Sequence, residues 1–122
     1  MCLTISIFQR QKIAKEDIEC YKYVDLYYGS YQTLFMTQNI IIGETYHSEI
    51  YGKLRSSLLF QIDIREGLHS CHTKYDLIQL YICATTPHTK IVKCIIPKGS
   101  KYYSSNKEYV SNTLKYIEIV ND

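Results

Sequence analysis

The densest run of chemically capable side chains is Gly67-Leu68-His69-Ser70-Cys71-His72. His69, Cys71 and His72 are zinc-ligand types, but a structural zinc takes four ligands in spaced pairs, and no C-x-x-C or H-x-x-x-H partner occurs. No metal is expected. A Cys-His nucleophile pair is disfavoured too, because neighbours on a strand project to opposite faces. The plainer expectation packs Cys71 inside and leaves the histidines at a strand end. A second set, Lys90, Lys93, Lys98 and Lys101 with Tyr102 and Tyr103, could contact phosphates and stack bases if it lay along one edge. Lysines at strand ends are also commonly just solvated guards of an edge. P-loop, dinucleotide-type glycine and zinc-finger patterns are absent from the sequence.

The elements that must position these groups are read from periodicity. Leu3, Ile5 and Ile7 mark a first strand, and Lys12 to Asp17 is a polar loop or single helical turn. Residues 18 to 24 alternate, with Ile18, Cys20 and Val24 on one face. Tyr27 to Gln38 reads as a long loop returning into Ile40-Ile41-Ile42, which Gly43 ends; Glu44 to Ile50 then alternates weakly. Leu58 to Ile64 has the content of a buried strand, bounded by Ser56-Ser57 and Arg65-Glu66-Gly67. Thr73 with Asp76 three residues on approximates a capping box, and Leu77, Leu80, Tyr81 and Ala84 follow at helical spacing up to Pro87. Ile91 to Ile96 is a strand stopped by the turn Pro97-Lys98-Gly99, and Leu114 to Val120 is the last strand. The expected architecture is α+β: β-dominated, mixed or antiparallel twisted sheet with one short helix crossing it.

Composition bounds the function. The 122 residues make one domain, 1–122. A net charge of +2 gives little support to bulk electrostatic DNA binding. Apolar runs fall far below the ~20 residues of a membrane span. The start, Met1 to Phe8, lacks a basic region and a small-residue cleavage site, so it reads as mature chain. Thirteen tyrosines without tryptophan suit a pleated, half-buried surface. Five cysteines, Cys2, Cys20, Cys71, Cys83 and Cys94, are an odd number without the spacing of a disulfide scaffold, which fits a reducing cytoplasm.

The order of short motifs resembles the ADP-ribosyltransferase superfamily. Asn106-Lys107-Glu108-Tyr109-Val110 followed by Leu114-Lys115-Tyr116-Ile117 is similar to its last two strands, an N-E-Y-hydrophobic segment and a K-Y-hydrophobic strand. Gly67-Leu68-His69-Ser70-Cys71, followed by a helix, looks like the second motif; Ile91 to Ser100 looks like the strand and P-[KR]-G-[ST] turn of the mono-transferase branch. Ile18 to Val24 and Ile42-Gly43-Glu44-Thr45-Tyr46 stand in the place of the first strand and the I-G-x-x-[YF] segment. The chain also resembles short proteins of bacteria and their phages with a G-[FL]-H-[AS] element. Together the matches span about half of the sequence.

The resemblance implies an NAD site with a first-strand His or Arg, a second-motif Tyr or Ser, and a Glu stabilising the oxocarbenium-like centre, where a carboxylate offsets developing positive charge. Glu108 falls on the Glu position and His69 or Ser70 on the second, but Cys20, Tyr21 and Lys22 occupy the first. A degenerate scaffold acting by binding, without a cofactor, is therefore the first expectation. It would be a small phage-type accessory or anti-defence protein in the host cytoplasm, directed at a host immune effector such as a CRISPR nuclease or at a nucleotide signal. Its anchors would be Tyr21, Lys22, Tyr23, Tyr46, Lys98, Lys101, Tyr102 and Tyr103. The second expectation is an active NAD-dependent mono-ADP-ribosyltransferase using Glu108, His69 and Ser70, with Lys22 or Tyr21 replacing the missing His or Arg. The third is a nucleic-acid binder using Lys93, Lys98, Lys101 and Tyr102. No membrane partner is expected.

Overall fold

The computed structural model describes residues 3–6, 9–34, 38–54 and 61–120. The first half of the chain supplies β1 (Leu3–Ser6), β2 (Lys12–Ile13), β3 (Ile18–Tyr27), β4 (Ser30–Thr33), β5 (Asn39–Ile40), β6 (Thr45–His47) and β7 (Tyr51–Leu54). After these come β8 (Gln61–Glu66), β9 (Leu68–Cys71) and α1 (Lys74–Tyr81), which runs into a 3₁₀ turn, Ile82–Ala84. The chain closes with β10 (Thr89–Ile96), β11 (Lys101–Ser104), β12 (Glu108–Ser111) and β13 (Thr113–Val120). Strand dominates, α1 is the one α-helix among the described residues, and every described strand pair is antiparallel. None of the described helices is long and apolar enough to cross a membrane.

The larger sheet has the order β2-β11-β12-β9-β3-β10-β13-β6, with β4 also paired to β3 and β5 to β4; the smaller has the order β1-β8-β7. The backbone of the larger sheet is the β3–β10 pair, in register from Ile18↔Ile96 to Asp25↔Thr89. The alternation in β3 explains this placement: Cys20 and Val24 are fully buried on one face, where Val92, Cys94, Leu114 and Tyr116 join them. On the opposite face Tyr23, Cys71 and Ile91 pack with Leu77 of α1. A third cluster, Ile5, Ile64 and Val110, joins the small sheet to β12. Each fully buried aliphatic side chain contributes roughly 1.5–3 kcal/mol, so these interleaved faces are the main source of stability.

The helix forms as the capping pattern predicts. Thr73 Oγ1 accepts from the Asp76 backbone N–H at 3.1 Å and donates to Asp76 Oδ2 at 2.9 Å, and the following 3₁₀ turn finishes before Pro87. Over its described part, 27–34, the expected long loop is a hairpin instead. Residues 28 and 29 both have positive φ, 49° and 80°, which is the geometry of a tight hairpin turn, and β4 folds straight back on β3. Tyr28 hides that turn from composition, because Asn is the usual residue there. In the Ile40-Ile41-Ile42 run, Ile40 is buried while Ile41 is 65% exposed. Ile7 and the 56–60 part of the expected strands and their boundary lie outside the described residues; the rest of the second strand is β8.

The two sheets are hinged on a single residue, Gly67, between β8 and β9. Its φ is +134°, and a Cβ built there would lie 2.5 Å from Val110 Cγ2, a fully buried side chain. Both the backbone conformation and the close approach require glycine. We expect Gly67→Ala to destabilise the fold by about 2–4 kcal/mol, combining backbone strain with overpacking. Urea denaturation checks this, and a loss below about 0.5 kcal/mol would contradict it.

Candidate functional site

The site is built where β3 runs out of one partner and takes another. β9 and β4 pair with the same edge of β3. β9 is joined to it at a single pair, Tyr21↔Cys71, whereas from Val24 onward β4 is the partner, starting at Val24↔Thr33. β9 instead follows β12 through Leu68↔Ser111, His69↔Val110 and Ser70↔Tyr109. The divergence opens a cleft of about 400 Å³, within the size range of small-molecule sites. One wall draws Ile40, Tyr46 and Tyr116 from the first core cluster, and the other draws Leu34, Leu77 and Tyr81 from the cluster under α1.

Lys22 stands in the middle of this opening. It continues the inward row Cys20–Lys22–Val24, whose other two members are fully buried, and it sits opposite Val92 on β10. Its Nζ donates to the backbone carbonyl of His69 at 3.0 Å, bracing the two diverging strands. An ammonium has three donors, and among the described residues no carboxylate pairs with it. Burial accordingly pulls the Lys22 ammonium below the usual lysine range, against a weaker upward pull from the thiols of Cys94, Cys20 and Cys71.

His69, one of the cleft residues, has both ring nitrogens shielded from solvent and without a hydrogen-bond partner. Burial first, and then the Lys22 charge, push its pKa down to about 4, so at pH 7 it is a neutral ring with one donor and one acceptor unused. Buried polar groups are almost always satisfied, and this ring at the cleft wall is an exception. Ser70 is buried, and its hydroxyl, like the His69 ring, has no hydrogen-bond partner. Glu66, exposed, also lines the cleft.

Of the residues singled out from sequence, Tyr21, Lys22, Tyr23, Tyr46, His69 and Ser70 are brought together here. The Tyr21 hydroxyl is turned to Glu19, which also pairs with Lys93 at 3.7 Å, and the Tyr46 hydroxyl accepts from the Ile41 N–H at 2.8 Å. Glu108 is not a cleft residue. It pairs with Cys71 across β12 and β9, in the same row as Tyr21, and its carboxylate accepts from the Tyr81 hydroxyl at 2.7 Å. Ser70, one position from Cys71, faces the other way, so the expected Glu108–His69–Ser70 set does not share one face.

The basic stripe does not assemble either. Lys90 and Lys93 lie on β10, which is inside the sheet, while Lys101 lies on β11, with β3, β9 and β12 between them. Lys98 sits in the turn, its backbone N–H bonded to Asp17 at 2.9 Å. Tyr102 and Tyr103 alternate to opposite faces: Tyr102 packs edge-to-face on Tyr109 at 5.9 Å, and Tyr103 packs on the Ile5–Ile64–Val110 cluster. His72 is held away from His69, with Nε2 at 3.0 Å from Ser104 Oγ and 3.2 Å from the Glu108 carbonyl. Among the described residues, no three His, Cys, Asp or Glu side chains converge on a metal position. Tyr81, Tyr116 and Glu66 were not legible as site residues; Lys22 at an inward position of an alternating strand was the available signal.

With this geometry in view, comparison with family models, with curated proteins and with solved structures yields no match.

Two outcomes follow from the buried groups. An unfolded histidine titrates near 6.5, above the His69 value, so as pH falls from 6.5 toward 4 the unfolded chain takes up the proton first and stability falls. Denaturation at pH 7 and pH 5 should show this loss, limited to about 1.4 kcal/mol per pH unit for one proton, and His69→Gln should reduce it. An equal loss in both proteins would remove His69 as its source. Burial also pushes the Cys20 thiol up to about 11 and Cys71 up to about 12, and raises Cys94, whereas Cys83 is exposed. A thiol reagent at pH 8 should label Cys83 in the native protein and reach the other three only on unfolding. Native labelling of any of those three at the rate of Cys83 would contradict the packing.

Proposed function

We propose that this chain is a small binding module on an ADP-ribosyltransferase-like scaffold, of the phage accessory or anti-defence kind, which sequesters a nucleotide signal in the split-sheet cleft in the host cytoplasm. The observation that carries this is Lys22: a cation without a carboxylate partner among the described residues, in a tyrosine-lined cleft, beside a neutral His69. An anion-bearing aromatic ligand complements each of these features, with phosphate on the ammonium and base against the rings. The scaffold reading is supported by the motif order, with Cys20, Tyr21 and Lys22 occupying the place of the superfamily's first-strand His or Arg. Of the two binding targets expected, the concave cleft favours the nucleotide over a protein effector, and the dispersed lysines leave nucleic-acid binding without its expected surface.

Glu108 supports a second reading, a working NAD-dependent transferase. Its carboxylate is held by the Tyr81 hydroxyl, and Tyr81 lines the cleft. Isothermal titration with NAD and adenine nucleotides separates the two. Binding that weakens roughly tenfold or more in Lys22→Met, the value of one charge-assisted hydrogen bond, and holds within about twofold in Glu108→Gln supports the binding module. NAD consumption abolished by Glu108→Gln supports the enzyme. Absence of binding at millimolar ligand overturns both.

A further inference from the structure

Resting on the reading of the cleft as a nucleotide site, we infer that it selects a ligand with a single negative charge, as in a cyclic phosphodiester, over doubly ionised monoesters and polyphosphates. The charges facing the cleft come from few elements. β3 contributes Lys22, β8 contributes Glu66, and β6 and β9 contribute His47 and His69. Among the described residues of the lining, Lys22 is the one lysine or arginine, so its formal charges sum to zero. One anionic oxygen on the Lys22 ammonium completes a neutral pair inside the cleft. A second negative charge finds no cation and meets Glu66, at a desolvation cost that nothing repays.

A helix N-terminus could supply further anion-binding donors, and α1 does not. Thr73 and Asp76 cap that end, and α1 reaches the cleft through Leu77 and Tyr81, its middle and its last turn, where the helix dipole is negative. His69, a neutral ring, adds no charge. The cleft therefore recognises aromatic surface and one anion, whereas a polyphosphate site gathers several cations or backbone N–H groups.

The test is a charge series on one base: adenosine, 3′,5′-cyclic AMP, AMP and ADP, titrated calorimetrically into the intact chain at pH 7.5 and constant ionic strength. Cyclic AMP should bind at least tenfold tighter than both adenosine and ADP. Lys22→Met should erase its advantage over adenosine. Glu66→Gln should improve ADP binding severalfold and narrow the gap between ADP and cyclic AMP. Affinity that rises steadily with charge, or adenosine binding as tightly as cyclic AMP, overturns the charge selection and leaves the nucleotide site standing. No heat from any of the four at millimolar concentration, with folding verified by circular dichroism, overturns the nucleotide site itself.

Discussion

One edge of β3 has to serve two strands, and much of the structure follows from that competition. β10 occupies the other edge in continuous register, so β3 cannot shift or twist away. β9 and β4 must share what remains, and they divide it around Lys22 and Tyr23. A sheet that paired both strands fully would have no opening. The cleft is the geometric residue of this division, and its walls are borrowed from two core clusters that stability already requires.

Lys22 shows how the constraint is tolerated. An apolar residue in the row between Cys20 and Val24 would pack without penalty, whereas an ammonium there must escape low dielectric or find a partner. Lys22 stands opposite Val92 in the sheet, and its head crosses the gap to the His69 carbonyl. The brace satisfies a backbone acceptor that the split deprives of a strand neighbour. It also leaves charge and donors uncommitted, a local sacrifice of stability of the kind found at functional sites.

Behind the cleft, the Glu108–Tyr81 contact ties β12 to the helix. With Cys71 and Tyr21 in the same cross-strand row, it places a carboxylate one layer from the cavity. Gly67, which lines the cleft, sets the other boundary: it lets the chain pass Val110 without a Cβ as it goes from β8 of the small sheet into β9 of the large one.

Elements written in local pattern were legible. The alternation through Cys20 and Val24, the Thr73–Asp76 cap and the Pro97–Gly99 turn each depend on neighbours within a few residues, and each formed as read. The turn at Tyr28–Gly29 was not legible, since a tyrosine with positive φ is outweighed locally and held by the β3–β4 pairing. The site was half legible. Lys22, Tyr46, His69 and Ser70 were singled out from sequence, but the lysine stripe and the joint use of Glu108, His69 and Ser70 depended on strand order and side-chain direction. By itself, then, the sequence determined a β-dominated chain, its short helix, and the alternating core strand through Cys20 and Val24, because burial and capping are short-range. Only the tertiary structure decided which strands share the edge of β3, and so which residues meet in the cleft, because that choice is made by pairings between segments tens of residues apart.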